Sequence, residues 1–329
     1  MKIVPLASES LGTRGLSLYV ESEDQKIIID PSVSLGPFRN GYPPHLLELA
    51  SAFLSRHFIM KFWEKANIII QTHYHADHYS LRKKRPYEFT NHDIANRLYS
   101  HPNKLILAKD LRRNINYNQK KRATWLWNRK RVQLFVADGN TFVFGQTRVT
   151  FSKPLPHGNV GTKQGWVISV LIADSFESVL ITSDISGPGS DIALRFIIEN
   201  PVDLVIIDGP STYHPHQTIE KIEQAFQRLV RALEVSPAIV DHHLLRDSKW
   251  KELCKNHGIS NKKITLASLL GLLPNCLENK RSQLFKQAPL DSSFHRKFET
   301  DDISILEEIN KVARTYPLWS KLNIILQDS

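Results

Sequence analysis

Asn67-Ile68-Ile69-Ile70-Gln71-Thr72-His73-Tyr74-His75-Ala76-Asp77-His78 is the stretch from which the rest of this chain can be read. Its first half is a short apolar run with the look of a fully buried strand. Its second half presents three imidazoles and a carboxylate at once. On an extended segment, side chains two apart share a face, so His73 and His75 point the same way. A helix starting near Asp77 would turn Asp77 and His78 towards a second point close by. One hexapeptide could then feed two metal ions. Clustered imidazoles repel when protonated and have no packing purpose, so metal binding is the better reading. Imidazole and carboxylate suit Zn, Mn, Fe or Co better than Ca or Mg.

Working outward, other polar groups also follow predicted strands. Runs at 2–6, 16–21 and 26–29 read as antiparallel strands, and the third ends in Asp30-Pro31. Asp30 fits either a group supporting the metal ligands or a turn-forming Asp before Pro. Leu46 to Phe58 repeats at helical spacing. Strand-like runs at 132–136, 141–145 and 147–152 precede Pro154-Leu155-Pro156-His157-Gly158, which places His157 on a tight loop as a further nitrogen ligand. A hairpin over 166–173 and 178–182 leads to Asp184, whose two oxygens could bridge two metals. Strand 203–207 leads to Asp208 and the nearby Tyr213 and His214; helix 217–234 follows. Strand 237–240 delivers Asp241-His242-His243. Leu-rich helical segments at 264–273, 277–286 and 302–315 carry no ligand pattern and read as packing.

The net charge of +10 is local: residues 80–131 hold 15 Lys/Arg against 3 Asp/Glu, and the rest of the chain is close to neutral. Tyr87, Phe89, Tyr99, Tyr117, Trp125 and Trp127 are interleaved among these charges. That combination fits single-stranded nucleic-acid recognition, but a solvated, partly helical basic cap over the site is the slightly preferred reading, because charge runs are usually surface. Either would favour anionic substrates. Cys254 and Cys276 have no ligand-like spacing and are expected to be reduced thiols. No signal-like segment opens the sequence and no apolar run approaches 18 residues, so a cytoplasmic protein with no membrane partner is expected. The oligomeric state is not legible.

The series His73-x-His75-x-Asp77-His78, then His157, Asp184 and a terminal His, resembles the metallo-β-lactamase fold superfamily over residues 1 to about 245. Finer features are similar to a mainly archaeal branch of predicted metallo-hydrolases. They are Asp30-Pro31-Ser32-Val33-Ser34-Leu35-Gly36-Pro37, Gly41-Tyr42-Pro43-Pro44-His45, Asn116-x-x-Gln119-x-x-Arg122-Ala123, Ser183-Asp184-Ile185-Ser186-Gly187-Pro188, and Val240-Asp241-His242-His243-Leu244-Leu245-Arg246-Asp247. The resemblance implies an α/β fold, a four-layer αββα sandwich with its site at one edge. Residues 1–245 would form this domain, including the basic insertion 80–131, with 246–329 as a helical C-terminal extension packed on it. It implies that His73, His75 and His157 hold one divalent metal. Asp77, His78 and His242 or His243 would hold a second, with Asp184 bridging. One polar residue between last strand and ligand favours His242.

The chemistry this implies is hydrolysis by hydroxide generated at two transition-metal ions, most simply zinc. Asp77 or Asp184 would orient the hydroxide, and His243, Tyr213 or His214 would protonate the leaving group. Asn159 and Lys163 are further candidate substrate contacts. The basic stretch makes a phosphodiester, of a nucleic acid or nucleotide, the first expected substrate. A thioester or lactone is the alternative. A redox di-iron protein is a weaker reading, because Glu typically stands where this chain has His75. A non-catalytic nucleic-acid-binding protein with a structural metal is weaker too, because such sites are usually Cys-rich.

Overall fold

The computed structural model describes residues 1–213, 218–259 and 265–328. His214, and the first residues of the expected helical segments 217–234 and 264–273, lie outside the described residues. Strands β1 (Lys2–Ala7), β2 (Ser17–Glu21), β3 (Lys26–Ile29), β4 (Ile68–Gln71), β5 (Leu105–Ala108) and β6 (Gln133–Val136) form one mixed sheet in that spatial order. β1 to β3 pair antiparallel, and β3 to β6 run parallel. A second six-stranded sheet has the order β14-β13-β12-β11-β8-β7. Its strands are β7 (Thr141–Phe144), β8 (Thr147–Phe151), β11 (Val170–Ala173), β12 (Ser178–Ile181), β13 (Leu204–Ile207) and β14 (Ala238–Val240). Two short strands, β9 (Leu155–Pro156) and β10 (Trp166–Val167), pair with each other.

Side chains alternate across a strand, and this alternation builds the layers. From the first sheet, Leu18, Val20, Ile27, Ile29, Ile68 and Ile70 point inward. They join Val170, Ile172, Val179, Ile181 and Ile206 of the second sheet in one apolar cluster. The intervening Tyr19, Ile28 and Ile69 point outward, onto helices α1 (Leu46–Lys65), α10 (Ile303–Ala313) and α11 (Pro317–Gln327). On the far side, Leu180, Val205, Ile207 and Val240 pack under α4 (Asp191–Glu199), α5 (Ile219–Val235) and α6 (Trp250–Asn256). Three apolar interfaces thus separate four layers, helix, sheet, sheet and helix. The architecture is the αββα sandwich that the resemblance implied.

The C-terminal helices are α7 (Leu266–Leu269), α8 (Arg281–Gln287), α9 (Phe294–Glu299), α10 and α11. Of these, α10 and α11 cover α1, α7 packs on β1, and the segment is fastened by charge. Arg281 and Glu48 are fully buried and form a two-pronged pair at 2.7 and 2.8 Å. Arg14 binds Glu278 through two contacts of 2.6 Å.

Two expectations need correction. No helix starts near Asp77: residues 76–78 form a turn, in which the His78 and Tyr79 amides both bond the His75 carbonyl, at 3.1 and 2.7 Å. The Ala76 carbonyl, which a helix would use, accepts from Ser32 Oγ at 2.8 Å instead. Residues 80–131 are also more than a cap. They supply β5, an interior strand of the first sheet, along with α2 (His92–Tyr99) and α3 (Tyr117–Trp127). Most of the aromatics there are structural. Tyr87 and Tyr99 are buried, Phe89, Trp125 and Trp127 pack against the core, and Tyr117 is 78% exposed.

Candidate metal centre

Parallel strands β3, β4, β12, β13 and β14 all end at one edge of the sandwich, and the next few residues of each carry the polar groups. Asp30 follows β3, His73 follows β4, Asp184 follows β12, Asp208 follows β13, and Asp241-His242-His243 follow β14. His157 follows β9. Six separate stretches therefore converge because both sheets direct the carboxyl ends of these strands to the same rim.

Asp184 is the centre of the arrangement. Its Oδ2 lies 3.2 Å from His157 Nε2 and 3.5 Å from His73 Nε2. Its Oδ1 lies 3.0 Å from His78 Nε2 and 3.3 Å from His242 Nε2. The two oxygens of one carboxylate thus face two different sets of imidazoles. His73, His75, His157 and Asp184 form one group of converging ligand atoms, and Asp77, His78 and His242 form another. All seven residues expected to bind metal are brought together. Between the two terminal candidates, His242 joins Asp77 and His78. His243 Nε2 approaches Asp184 Oδ2 at 3.6 Å from the other side.

Behind His78, His242 and His243 stands a carboxylate that faces each ring's Nδ1. Asp30 Oδ2 accepts from His78 Nδ1 at 2.8 Å, while its carboxylate also accepts from the Thr72 amide at 2.8 Å and from Gln71 Nε2 at 3.0 Å. Of the two readings of Asp30, the structure shows the supporting one. Glu9 Oε2 lies 2.6 Å from His242 Nδ1, and its Oε1 accepts from Arg246 Nε at 2.5 Å. Asp208, placed by sequence among candidate ligands, instead lies 2.7 Å from His243 Nδ1 and accepts from the Ser186 and Gly187 amides. A carboxylate on Nδ1 leaves Nε2 free to bind a metal or a proton.

Glu9 is the partner that sequence reasoning missed. It sits in an ordinary-looking segment 64 residues before the histidine cluster. Asp241 brings it to the site. That buried carboxylate accepts from the Ser10 amide at 3.2 Å, the Leu266 amide at 2.8 Å and the His242 amide at 2.8 Å. The N-terminal loop is thereby stapled to the end of β14. Arg246 was likewise quoted in a motif without a role. Its NH2 is 3.3 Å from Asp77 Oδ2, and its NH1 donates to Tyr213 Oη at 3.0 Å.

Backbone strain gathers at the same edge. His242 has φ +100°, Ser183 +57°, Ser186 +53° and Asp30 +46°. Non-glycine residues adopt such values at a cost of about 1–3 kcal/mol each, and they persist where surrounding contacts over-determine them.

The electrostatics follow from burial against charge. Burial pushes the imidazoles of His73, His75 and His243 below the usual histidine range, so they are neutral ligands or bases at pH 7. Burial acts in the same sense on His242, but Glu9 and Asp184 outweigh it and raise the group to about 9. Asp184 and Asp30 likewise hold His78 well above its ordinary value against the effect of burial. Burial would raise Asp184, yet His78 and His242 keep it well below the carboxylate range.

These residues fit divalent metal ions. His73 Nε2 and Asp184 Oδ1 are buried without a hydrogen-bond partner among the described residues. His78 Nε2 and His242 Nε2 stand 3.4 Å apart. Two nitrogens each about 2.0–2.1 Å from one tetrahedral zinc are separated by about that distance.

α3 forms one wall of the site. Gln119 Nε2 reaches His75 Nε2 at 3.2 Å and the Gln164 carbonyl at 2.9 Å, and Arg122 donates to the Tyr74 carbonyl at 3.0 Å. Asn116 caps α3 and donates to the Gln164 carbonyl at 2.8 Å. No helix among the described residues is long and apolar enough to cross a membrane.

No family model matches the chain. Solved structures similar to it include the isothiocyanate hydrolase from Delia radicum gut bacteria. That match has a TM-score of 0.47 and 15% identity, covering 80% of this chain and 94% of that one. The metallo-β-lactamase fold protein YhfI from Bacillus subtilis gives a TM-score of 0.39 at 14% identity, covering 73% and 96%. Sequence relatives are nearer. The UPF0282 protein of Korarchaeum cryptofilum is 35% identical over 312 residues, 92% of this chain and 100% of that protein. That of Pyrococcus horikoshii is 37% identical over 291 residues, covering 87% and 93%. At this identity, over nearly the whole of each relative, the chain belongs to the UPF0282 family.

Proposed function

We propose that this protein is a metal-dependent hydrolase that acts on a phosphodiester in a nucleotide or nucleic acid. The observation that carries the hydrolase reading is Asp184, whose two oxygens divide the histidines into two ligand sets. His73, His75 and His157 would hold one ion, Asp77, His78 and His242 the other. When bound, such ions supply Lewis acidity, acidifying water and polarising the scissile group.

The remaining steps belong to the protein's own groups. Asp77 Oδ2, tethered by Arg246 NH2 at 3.3 Å, is placed to orient the attacking water. His243 is neutral, and with its Nδ1–H kept and hydrogen-bonded to Asp208 at 2.7 Å, its Nε2 can take a proton from the nucleophile and return it to the leaving group. Tyr213 Oη, accepting from Arg246 NH1, is the second candidate donor.

Positive charge in residues 80–131 supports an anionic substrate. Since most aromatics of that stretch are packed inward, charge rather than base stacking carries this support. The test is elemental analysis coupled to hydrolysis of bis(p-nitrophenyl) phosphate, with and without chelator. About two Zn, Mn, Fe or Co per chain and chelator-sensitive turnover are expected. Two ions with no turnover on the phosphodiester, but turnover of a thioester or lactone, would replace the substrate class. Failure to retain any metal after reconstitution would overturn the reading.

A further inference from the structure

A cleft of about 400 Å³ opens beside His157. Its walls come from the loop after His157, from the loop after Asp184, and from the first turn of α5. Lys163 and Lys221 line it from two different elements, together with Asn159, Ser186 and Ser211. Among the described residues no carboxylate lines it, and neither lysine has an ion-pair partner.

The floor is rigid. Ser186 is held at φ +53° with its amide bonded to Asp208 at 2.6 Å, and its Oγ lies 3.3 Å from Ser211 Oγ. A Cβ on Gly189 would sit 2.7 Å from Gly158 Cα, so two backbone segments are in direct contact beneath the cleft. His157, 4% exposed, links this floor to the metal centre. Two cations and two hydroxyls around a fixed floor, with no acid opposing them, match an anion.

We propose that this cleft is an anion subsite, which takes a phosphoryl or carboxylate group that the substrate carries away from its scissile bond. The proposal rests on the hydrolase reading and narrows it: substrates bear a second negative group, and neutral esters lack the contact. Lys163 and Lys221 bind that group, Ser186 and Ser211 donate hydroxyl hydrogens to it, and the metal centre acts on the bond next to His157.

Calorimetry on metal-loaded protein tests this without any turnover. Inorganic phosphate and succinate are titrated into wild type, Lys163→Ala, Lys221→Ala and the double variant, with metal content measured in each. Each single change should weaken phosphate by about tenfold, and the double change by more, with metal content unaltered. Lys221→Arg should retain most of the affinity. Equal weakening of succinate would mean that the subsite reads charge alone, and weakening of phosphate only would assign it to phosphoryl groups. Unchanged affinity for both anions in the double variant would overturn the proposal. A protein that binds phosphate through these lysines but hydrolyses nothing would leave the subsite standing and remove the hydrolase reading.

Discussion

Glu9→Gln offers the sharpest test of how the second ligand set is held. Glu9 is 4% exposed, and its two oxygens lie 2.6 Å from His242 Nδ1 and 2.5 Å from Arg246 Nε. Glutamine keeps the shape and one acceptor but removes the charge. His242 then loses the carboxylate that fixes its ring and strengthens Nε2 as a ligand. Loss of such a partner typically costs 10–100-fold in metal affinity, about 1.4–2.7 kcal/mol. The structure also predicts where the loss falls. Glu9 touches none of His73, His75 or His157, so the ion held by those three should bind as before. Competition against a chromophoric chelator should resolve two releases in wild type and in the variant, with one of them shifted. A thermal melt beside each titration guards against simple unfolding. Equal weakening of both ions, or of neither, would refute the assignment of Glu9 to His242 and of His242 to the second set.

Other outcomes follow from the same geometry. His75→Ala should bind one ion fewer and lose chelator-sensitive turnover while circular dichroism stays unchanged; persistent turnover would remove His75 from the site. Gly189→Ala, whose Cβ would meet Gly158 Cα at 2.7 Å, should destabilise by about 2 kcal/mol or more in urea unfolding. Burial alone would raise Glu278, but Arg14 overcomes this and brings its pKa down to about 2 from the usual 4.5. A depressed carboxylate contributes stability above its unfolded pKa and loses it as pH falls towards the folded one. About 3 kcal/mol should therefore disappear between pH 4.5 and 2. Glu278→Gln should flatten that part of the stability profile, and an unchanged acid transition would show that the pair adds nothing.

Much of this was written in local patterns. The β-strand alternation of Leu18, Tyr19 and Val20, and of Ile27 to Ile29, was visible because burying a sheet on both faces requires apolar residues at every position. The candidate ligands from His73 to His78 were visible because imidazoles crowded into six positions serve no packing purpose. Residues 80–131 misled because net charge dominates a composition count. β5 is only four residues long, Leu105–Ala108, and its apolar side chains are outweighed by the charges around it. The helix near Asp77 failed because the competitor for the Ala76 carbonyl, Ser32, lies 44 residues away.

Sequence by itself therefore pointed to a candidate metal-binding edge, through imidazoles and carboxylates that follow predicted strands, while its resemblance to a known superfamily implied the αββα architecture and the seven candidate ligands. Tertiary structure alone decided the division of labour among them. It turned Asp208 into the partner of His243 and brought Glu9 and Arg246 to the centre. Those roles depend on which nitrogen faces which oxygen across 35 to 237 residues of chain, through contacts such as His243–Asp208 and Arg246–Glu9. Such pairings are set where strands from two sheets end together, and no local spacing encodes them.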